Sequence, residues 1–244
     1  MGNGFVNLKK VGLLFKKELR FFFFSPIAYI FICIFLILVG WFFFSDFFLY
    51  NQVDLRVFFE RLPIFLSLIV PVITMGLFSE EFSVGSYEII STTSVSLWDI
   101  ILGKFFAVVG FMIIALIPTL IYPLSISFLG ELDFGPVIGG YIGSIFLIGA
   151  LASIGLFTSA LTKNQIVALI IAFAITAPVC IIIPLMKWNN LIPMNLMWLM
   201  DFISVESRFG NIAKGIIDIR DLLYFLSIIA IGLYSTRLIL ESRK

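Results

Sequence analysis

Apolar positions along this chain fall in six long runs separated by short polar breaks. The runs cover about 26–49, 62–79, 103–129, 136–161, 166–186 and 221–240. Each is close to, or longer than, the roughly 20 predominantly apolar residues that an α-helix needs to cross the hydrocarbon of a bilayer. The breaks at Gly130–Gly135 and Thr162–Gln165 leave room only for tight turns. The pattern predicts an all-α integral membrane protein whose 26–244 region is a single domain of six transmembrane helices.

The residues before the first run follow a different period. At about 100° per residue, Lys9, Lys10, Lys16, Lys17 and Arg20 share one face of a helix, and Leu8, Val11, Leu14, Phe15, Leu19 and Phe22 share the other. A basic face opposite an apolar one suits a helix lying in the membrane interface. Residues 1–25 are therefore expected to form an N-terminal amphipathic interfacial helix. Glu18 is out of place, falling among the apolar positions. Ser25-Pro26 marks a break before the first span, because proline disfavours helix at the residue preceding it. The first run is too long for a secretory h-region of roughly 7–15 residues, so it reads as a retained span.

Composition agrees with the pattern. Of 244 residues, 61% are hydrophobic and 13% charged, against about 25% charged in soluble domains. That is too little polar surface to cover a water-soluble body. A formal charge of +1 argues against a nucleic-acid binder. Cys33 and Cys180 lie inside apolar runs and read as small buried hydrophobes. The chain has no histidine, which excludes the common zinc-hydrolase and Ser-His-Asp chemistries. The centres of the six runs carry no charged residue, which argues against proton relays and against an intramembrane acid–base enzyme. No catalytic residue, metal-ligand set or cofactor motif is assigned to the chain.

Basic residues set the expected orientation. With the N-terminus inside, ten lie on the inner side and six on the outer, and the bias is strongest at the first helix. Both termini are expected in the cytoplasm, and the protein in the cytoplasmic (inner) membrane. The fourth run carries Gly139-x-x-x-Gly143, a close-packing pattern that serves either contacts within the chain, the preferred reading, or a subunit interface. Prolines 71, 118, 123, 178 and 184 lie within runs, where kinks are common.

The connection between the second and third runs, Ser79–Lys104, is acidic on the side that is normally basic. It holds Glu80, Glu81, Glu88 and Asp99, with Lys104 its only base. Gly85 can end a helix, Tyr87–Ile90 can form a short turn with Glu88 exposed, and Ser94–Ser96 can turn the chain. Two readings are open: a solvated connector, or a structured protrusion that docks on a partner. Here the sequence resembles a family. Glu80-Glu81-x-x-x-Gly85-x-x-Glu88, then Ser94-Val95-Ser96 and Gly103-Lys104, resembles the signature of ABC-2 type permeases. Ile89-Ile90 stands for the usual leucine pair, and Ser94 where proline is commoner. Lys16-Lys17-Glu18-Leu19 with Ser25-Pro26 resembles the family's N-terminal surface helix. Gly215–Ser227 resembles the stretch before the last span in the gliding-motility branch.

The resemblance implies a membrane-spanning permease, not itself an enzyme, that exports a substrate or moves an extracytoplasmic partner. It implies a cytoplasmic coupling helix between spans two and three that docks on a separate ATPase. The docking residues would be Glu80, Glu81, Phe82, Gly85, Tyr87, Glu88, Trp98 and Asp99. Two ATPase copies, carrying ATP and Mg2+, and a second permease copy or homologue would complete the complex. An accessory subunit with a large extracytoplasmic domain is a further possible partner. This chain has no Gly-x-x-x-x-Gly-Lys-Ser/Thr loop of its own. Between spans five and six, Trp188–Arg220 carries Met194, Met197 and Trp198 among charges. The family relation implies short extracellular helices there that dip back and close the exit. The alternative is a non-transporting anchor or mechanotransmission subunit of an envelope or gliding machine.

Overall fold

The computed structural model describes residues 7–50, 55–87, 95–128, 133–189, 193–216 and 218–243, and among them the chain is helical with no strand. Helix α1 is Leu8–Phe24, α2 is Pro26–Tyr50, α3 is Arg56–Thr74 and α4 is Gly76–Val84. Helix α5 is Leu97–Leu116, a 3-10 turn follows at Ile117–Leu120, and α6 is Ile121–Ser127. Helix α7 is Phe134–Leu161 and α8 is Gln165–Ala177; a π-turn at Pro178–Ile182 leads into α9, Ile183–Trp188. Short helices α10 (Met197–Ile203) and α11 (Val205–Ala213) precede α12, Ile219–Ser242. Among the described residues six helical stretches are long and apolar enough to cross a membrane: Ala28–Ser45, Arg56–Val84, Leu97–Ser127, Phe134–Leu161, Gln165–Trp188 and Ile219–Ser242. The chain thus has the helices of a multi-pass membrane protein. The expected runs recur; the first is shorter at both ends, and most of the others are longer. The second reaches back to Arg56 and on to Val84, and the third begins at Leu97, so the connection between them shrinks to 85–96.

The bundle is built around α7. Two thirds of its span is buried, 67%, against 22% for the first span and 17% for the last. Small residues make that central place possible, because association in lipid depends on close van der Waals contact. Gly155 receives Thr74 of α3 where a β-carbon could not fit, Ser153 faces Gly232 of α12, and Gly140 lies under the ring of Phe59. The Gly139/Gly143 face is taken within the chain by Ile212 and Phe209 of α11. Several buried hydroxyls of the spans bond one turn back, as Thr74 does to the Val70 carbonyl and Thr236 to that of Gly232.

Span two is broken at Met75, whose own N–H still donates to the Pro71 carbonyl at 2.9 Å. Ser159 of α7 repairs the break. Its Oγ donates to the Met75 carbonyl at 2.8 Å and accepts from Phe78 N at 2.9 Å and Ser79 N at 3.1 Å. Span three tightens at Pro118, where Thr119 Oγ1 donates to the Leu116 carbonyl and lies 3.0 Å from the Tyr141 hydroxyl.

At the far end, α11 stops in a Schellman turn. Gly215, at φ 83°, donates to the Ile212 carbonyl, and Ile216 donates to that of Asn211. Asp221, at the start of α12, is buried and accepts from Arg208 at 3.0 Å and Asn211 at 3.1 Å. This pins α11 to α12, while Val205, Phe209 and Ile212 sink between α3 and α7.

Candidate functional site

Three helices meet at the opposite end: α1, α4 and the start of α5. Ser96 and Asp99 form a capping box for α5, with Ser96 Oγ accepting from Asp99 N at 3.1 Å and Asp99 Oδ2 accepting from Ser96 N at 3.2 Å. The other oxygen, Oδ1, accepts from Asn7 N at 2.8 Å, and Asn7 in turn caps α1 through Lys9 N. One carboxylate therefore joins the starts of two helices.

From that joint α1 runs alongside α5 in the same direction. Gly103 and Gly110, two turns apart, open α5 to it. A methyl group on Gly103 would stand 2.6 Å from Leu14 Cβ, and one on Gly110 would stand 3.1 Å from the Phe15 ring. Higher up, Phe22 and Phe23 pack on Phe111 with ring centroids 5.2 and 5.5 Å apart. The apolar face expected to meet lipid thus meets α5 along much of its length. Lys9, Lys16, Lys17 and Arg20 remain exposed beside Leu13, Phe21 and Phe24, and Lys10 is half-buried.

The misplaced Glu18 now has a reason. Its carboxylate is buried 3.4 Å from Lys104 Nζ. Lys104, only 3% exposed, also donates to Glu81 Oε1 at 2.7 Å and to the Leu77 carbonyl at 2.9 Å, and lies 5.2 Å above the Phe78 ring. An ammonium has three protons, and all three are used. The second oxygen of Glu81 is buried without a partner. Lys17 stands 3.5 Å from Glu18 at the rim. The arrangement ties α1, α4 and α5 through one buried ammonium. Removing any one member would leave a largely buried charge uncompensated.

The structure distributes the anticipated docking residues unevenly. Glu80 is exposed on α4. Glu81 turns inward to Lys104. Phe82 is half-buried beneath the Arg243 guanidinium, 4.6 Å away, and beside the Tyr87 ring at 4.9 Å. Gly85 is exposed and ends α4 at φ 77°. Tyr87 is buried, correcting the expectation that it protrudes. Its hydroxyl lacks a partner, and burial, with the charge of Glu81, pushes its pKa above the usual phenol range. Trp98 is half-buried under Arg237, 5.4 Å away. Asp99 is 1% exposed with both oxygens engaged inward, so it is a joint between helices rather than an exposed carboxylate. Glu88 and residues 89–94 lie outside the described residues.

Some members of this site were not assigned a role from sequence. Ser159 repairs span two from α7, and Arg243 both covers Phe82 and caps α7 by donating to the Leu161 carbonyl at 2.7 Å. Glu18 and Lys104 carried a signal, a carboxylate out of phase on an apolar face and a lone base in an acidic stretch. Ser159 and Arg243 carried none. Among the described residues no group of three or more acidic or thiol side chains could hold a metal ion. No protein-family model matches this chain, and no curated protein matches it.

Proposed function

We propose that this chain is the membrane-spanning permease of an ATP-driven exporter of ABC-2 type, lying in the cytoplasmic membrane with both termini inside. The observation that carries the reading is the buried Glu18–Lys104–Glu81 cluster at the segment that resembles the permease signature. A displacement of α4 there is passed to α1 and α5 through Lys104 and to α7 through Ser159. That is what a transmission joint between a cytoplasmic motor and the spans requires.

In this reading the ATPase, two copies with ATP and Mg2+, is a separate polypeptide, and a second permease faces the first. Docking falls on the outward edge of α4, Glu80 to Gly85, where Val84 is 75% exposed. The arginines over Phe82 and Trp98 stand beside that edge, so the partner's groove should offer acidic as well as basic groups. Exposed carboxylates and guanidiniums of this kind set association rate and specificity more than affinity. Helices α10 and α11 close the outer end.

A second reading is mechanical: the ATPase moves an extracytoplasmic partner through this chain without export. It draws support from the hydroxyls of the spans, many of which are turned to their own helix backbone rather than toward a shared polar path.

The test is co-purification with the ATPase encoded nearest the gene, followed by ATP turnover in lipid. Glu80→Ala and Val84→Glu should leave an inserted protein that recruits or stimulates the ATPase poorly, and normal complex yield and turnover in both would sink the reading. Transport assays in vesicles of the intact complex separate export from mechanical work.

A further inference from the structure

Two arginines of α12 straddle the connection between α4 and α5. Arg237 lies 5.4 Å from the ring of Trp98 in the first turn of α5, and Arg243 lies 4.6 Å from the ring of Phe82 on α4. Each guanidinium is braced by a second contact. Arg237 Nε donates to Glu241 Oε1 at 2.7 Å, and Arg243 Nη2 donates to the Leu161 carbonyl at the end of α7, also at 2.7 Å.

The grip on α4 falls on one side of that helix. Phe78 and Phe82, one turn apart, have ring centroids 6.2 Å from each other. Each meets a cation from another helix: Lys104 lies 5.2 Å from Phe78, and Arg243 covers Phe82. The quadrupole of an aromatic ring draws a cation to its face. At about 100° per residue, Glu80 and Val84 lie roughly opposite this aromatic pair, and both are exposed. The rotation of α4 that seats Phe78 and Phe82 therefore turns Glu80 and Val84 outward. Lys104 is buried with its protons used, so the exposed Arg243 is the weaker of the two holds.

We infer that Arg243 is a positioning residue for the docking edge: gripping Phe82 and the end of α7 together, it sets the rotation of α4 and so presents Glu80 and Val84 to the ATPase. Arg237 does the same for the start of α5 through Trp98. The two arginines belong to one continuous helix, so they fix α4 and α5 relative to each other on both sides of the 85–96 connection. What docks on that edge rests on the permease reading; the grip itself does not.

Hydrogen exchange of the full-length chain in micelles tests the grip without a partner. Arg243→Gln should speed exchange of the amides of residues 82–87 roughly two- to fivefold, the size an exposed cation–π contact supports, and leave the middles of α3 and α7 as in the parent. Phe82→Leu should act alike, and the double variant should be no faster than the faster single one, because both changes remove the same contact. Arg243→Lys keeps the charge but cannot lay a flat face on the ring while its edge donates to Leu161, and should recover only part of the protection. Unchanged exchange in Arg243→Gln, additive effects in the double variant, or acceleration spread through the whole bundle overturns the grip. With the ATPase encoded nearest the gene, Arg243→Gln should raise the permease concentration for half-maximal stimulation by a similar factor. An unchanged concentration beside faster exchange overturns the positioning role. A parent chain that engages no ATPase sinks the permease reading, and the exchange result still decides the grip.

Discussion

Lys104 Nζ sits 2.7 Å from Glu81 Oε1 across the junction of spans two and three. The two residues are 23 positions apart in sequence, and nothing in the sequence pairs them. Their pairing, with Glu18 added from α1, converts three separate helices into one unit at that end of the bundle.

The first prediction follows from burial. Lys104→Met leaves two carboxylates without their cation and should cost roughly 3–5 kcal/mol, the usual effect of breaking a buried pair. Thermal unfolding in micelles would register it. Combining Lys104→Met with Glu81→Gln and Glu18→Gln should recover much of the loss. Equal instability of the single and triple variants would show that the charges are not coupled.

Asp99 supplies a second. Asp99→Ala removes the half of the α5 capping box that accepts from Ser96 N, and the bond to Asn7 N, leaving Ser96 as the N-cap, and should cost about 1–3 kcal/mol, the penalty for buried amides left unsatisfied. It should also free α1 locally. Hydrogen exchange of the Asn7 and Lys9 amides is the readout, and protection equal to the parent's would contradict the joint described above.

A third concerns the break in span two. Ser159→Ala strands the Phe78 and Ser79 amides and should cost about 1–3 kcal/mol, the penalty for buried unsatisfied groups. Ser159→Thr keeps the oxygen and should lose less. Faster exchange confined to α4 is the expected signature in Ser159→Ala.

Glu206 gives a prediction in pH. Burial chiefly, and next the charges of Glu60 and Asp201, raise its pKa, while Lys187 opposes them. The folded state therefore holds this proton more tightly than the unfolded state does. The resulting stabilisation is complete below the unfolded value of about 4.3 and is lost as pH rises through the folded value. Glu206→Gln should accordingly show a flatter dependence of melting temperature on pH above 4, with its advantage over the parent growing as pH rises. A parallel dependence in the two proteins would exclude this role.

The amino-acid sequence by itself determined that the chain is helical and has six stretches suited to lipid, because that follows from the length of apolar runs and the cost of exposing backbone to hydrocarbon. It also marked the break at Ser25-Pro26, where Ser25 is extended between α1 and α2. These are local properties, decided by residues within a turn or two of one another.

Which charges face one another was left to the tertiary structure. Glu80 and Glu81 are neighbours of one type, yet α4 turns one outward and the other onto Lys104. Whether Asp99 is a docking carboxylate or a joint depended on Asn7, 92 positions away. The face of α1 suited to lipid is equally suited to the groove opened by Gly103 and Gly110, and amphipathicity does not distinguish the two. Each of these choices is made by a contact between distant segments, whose energy exists only once the helices are packed.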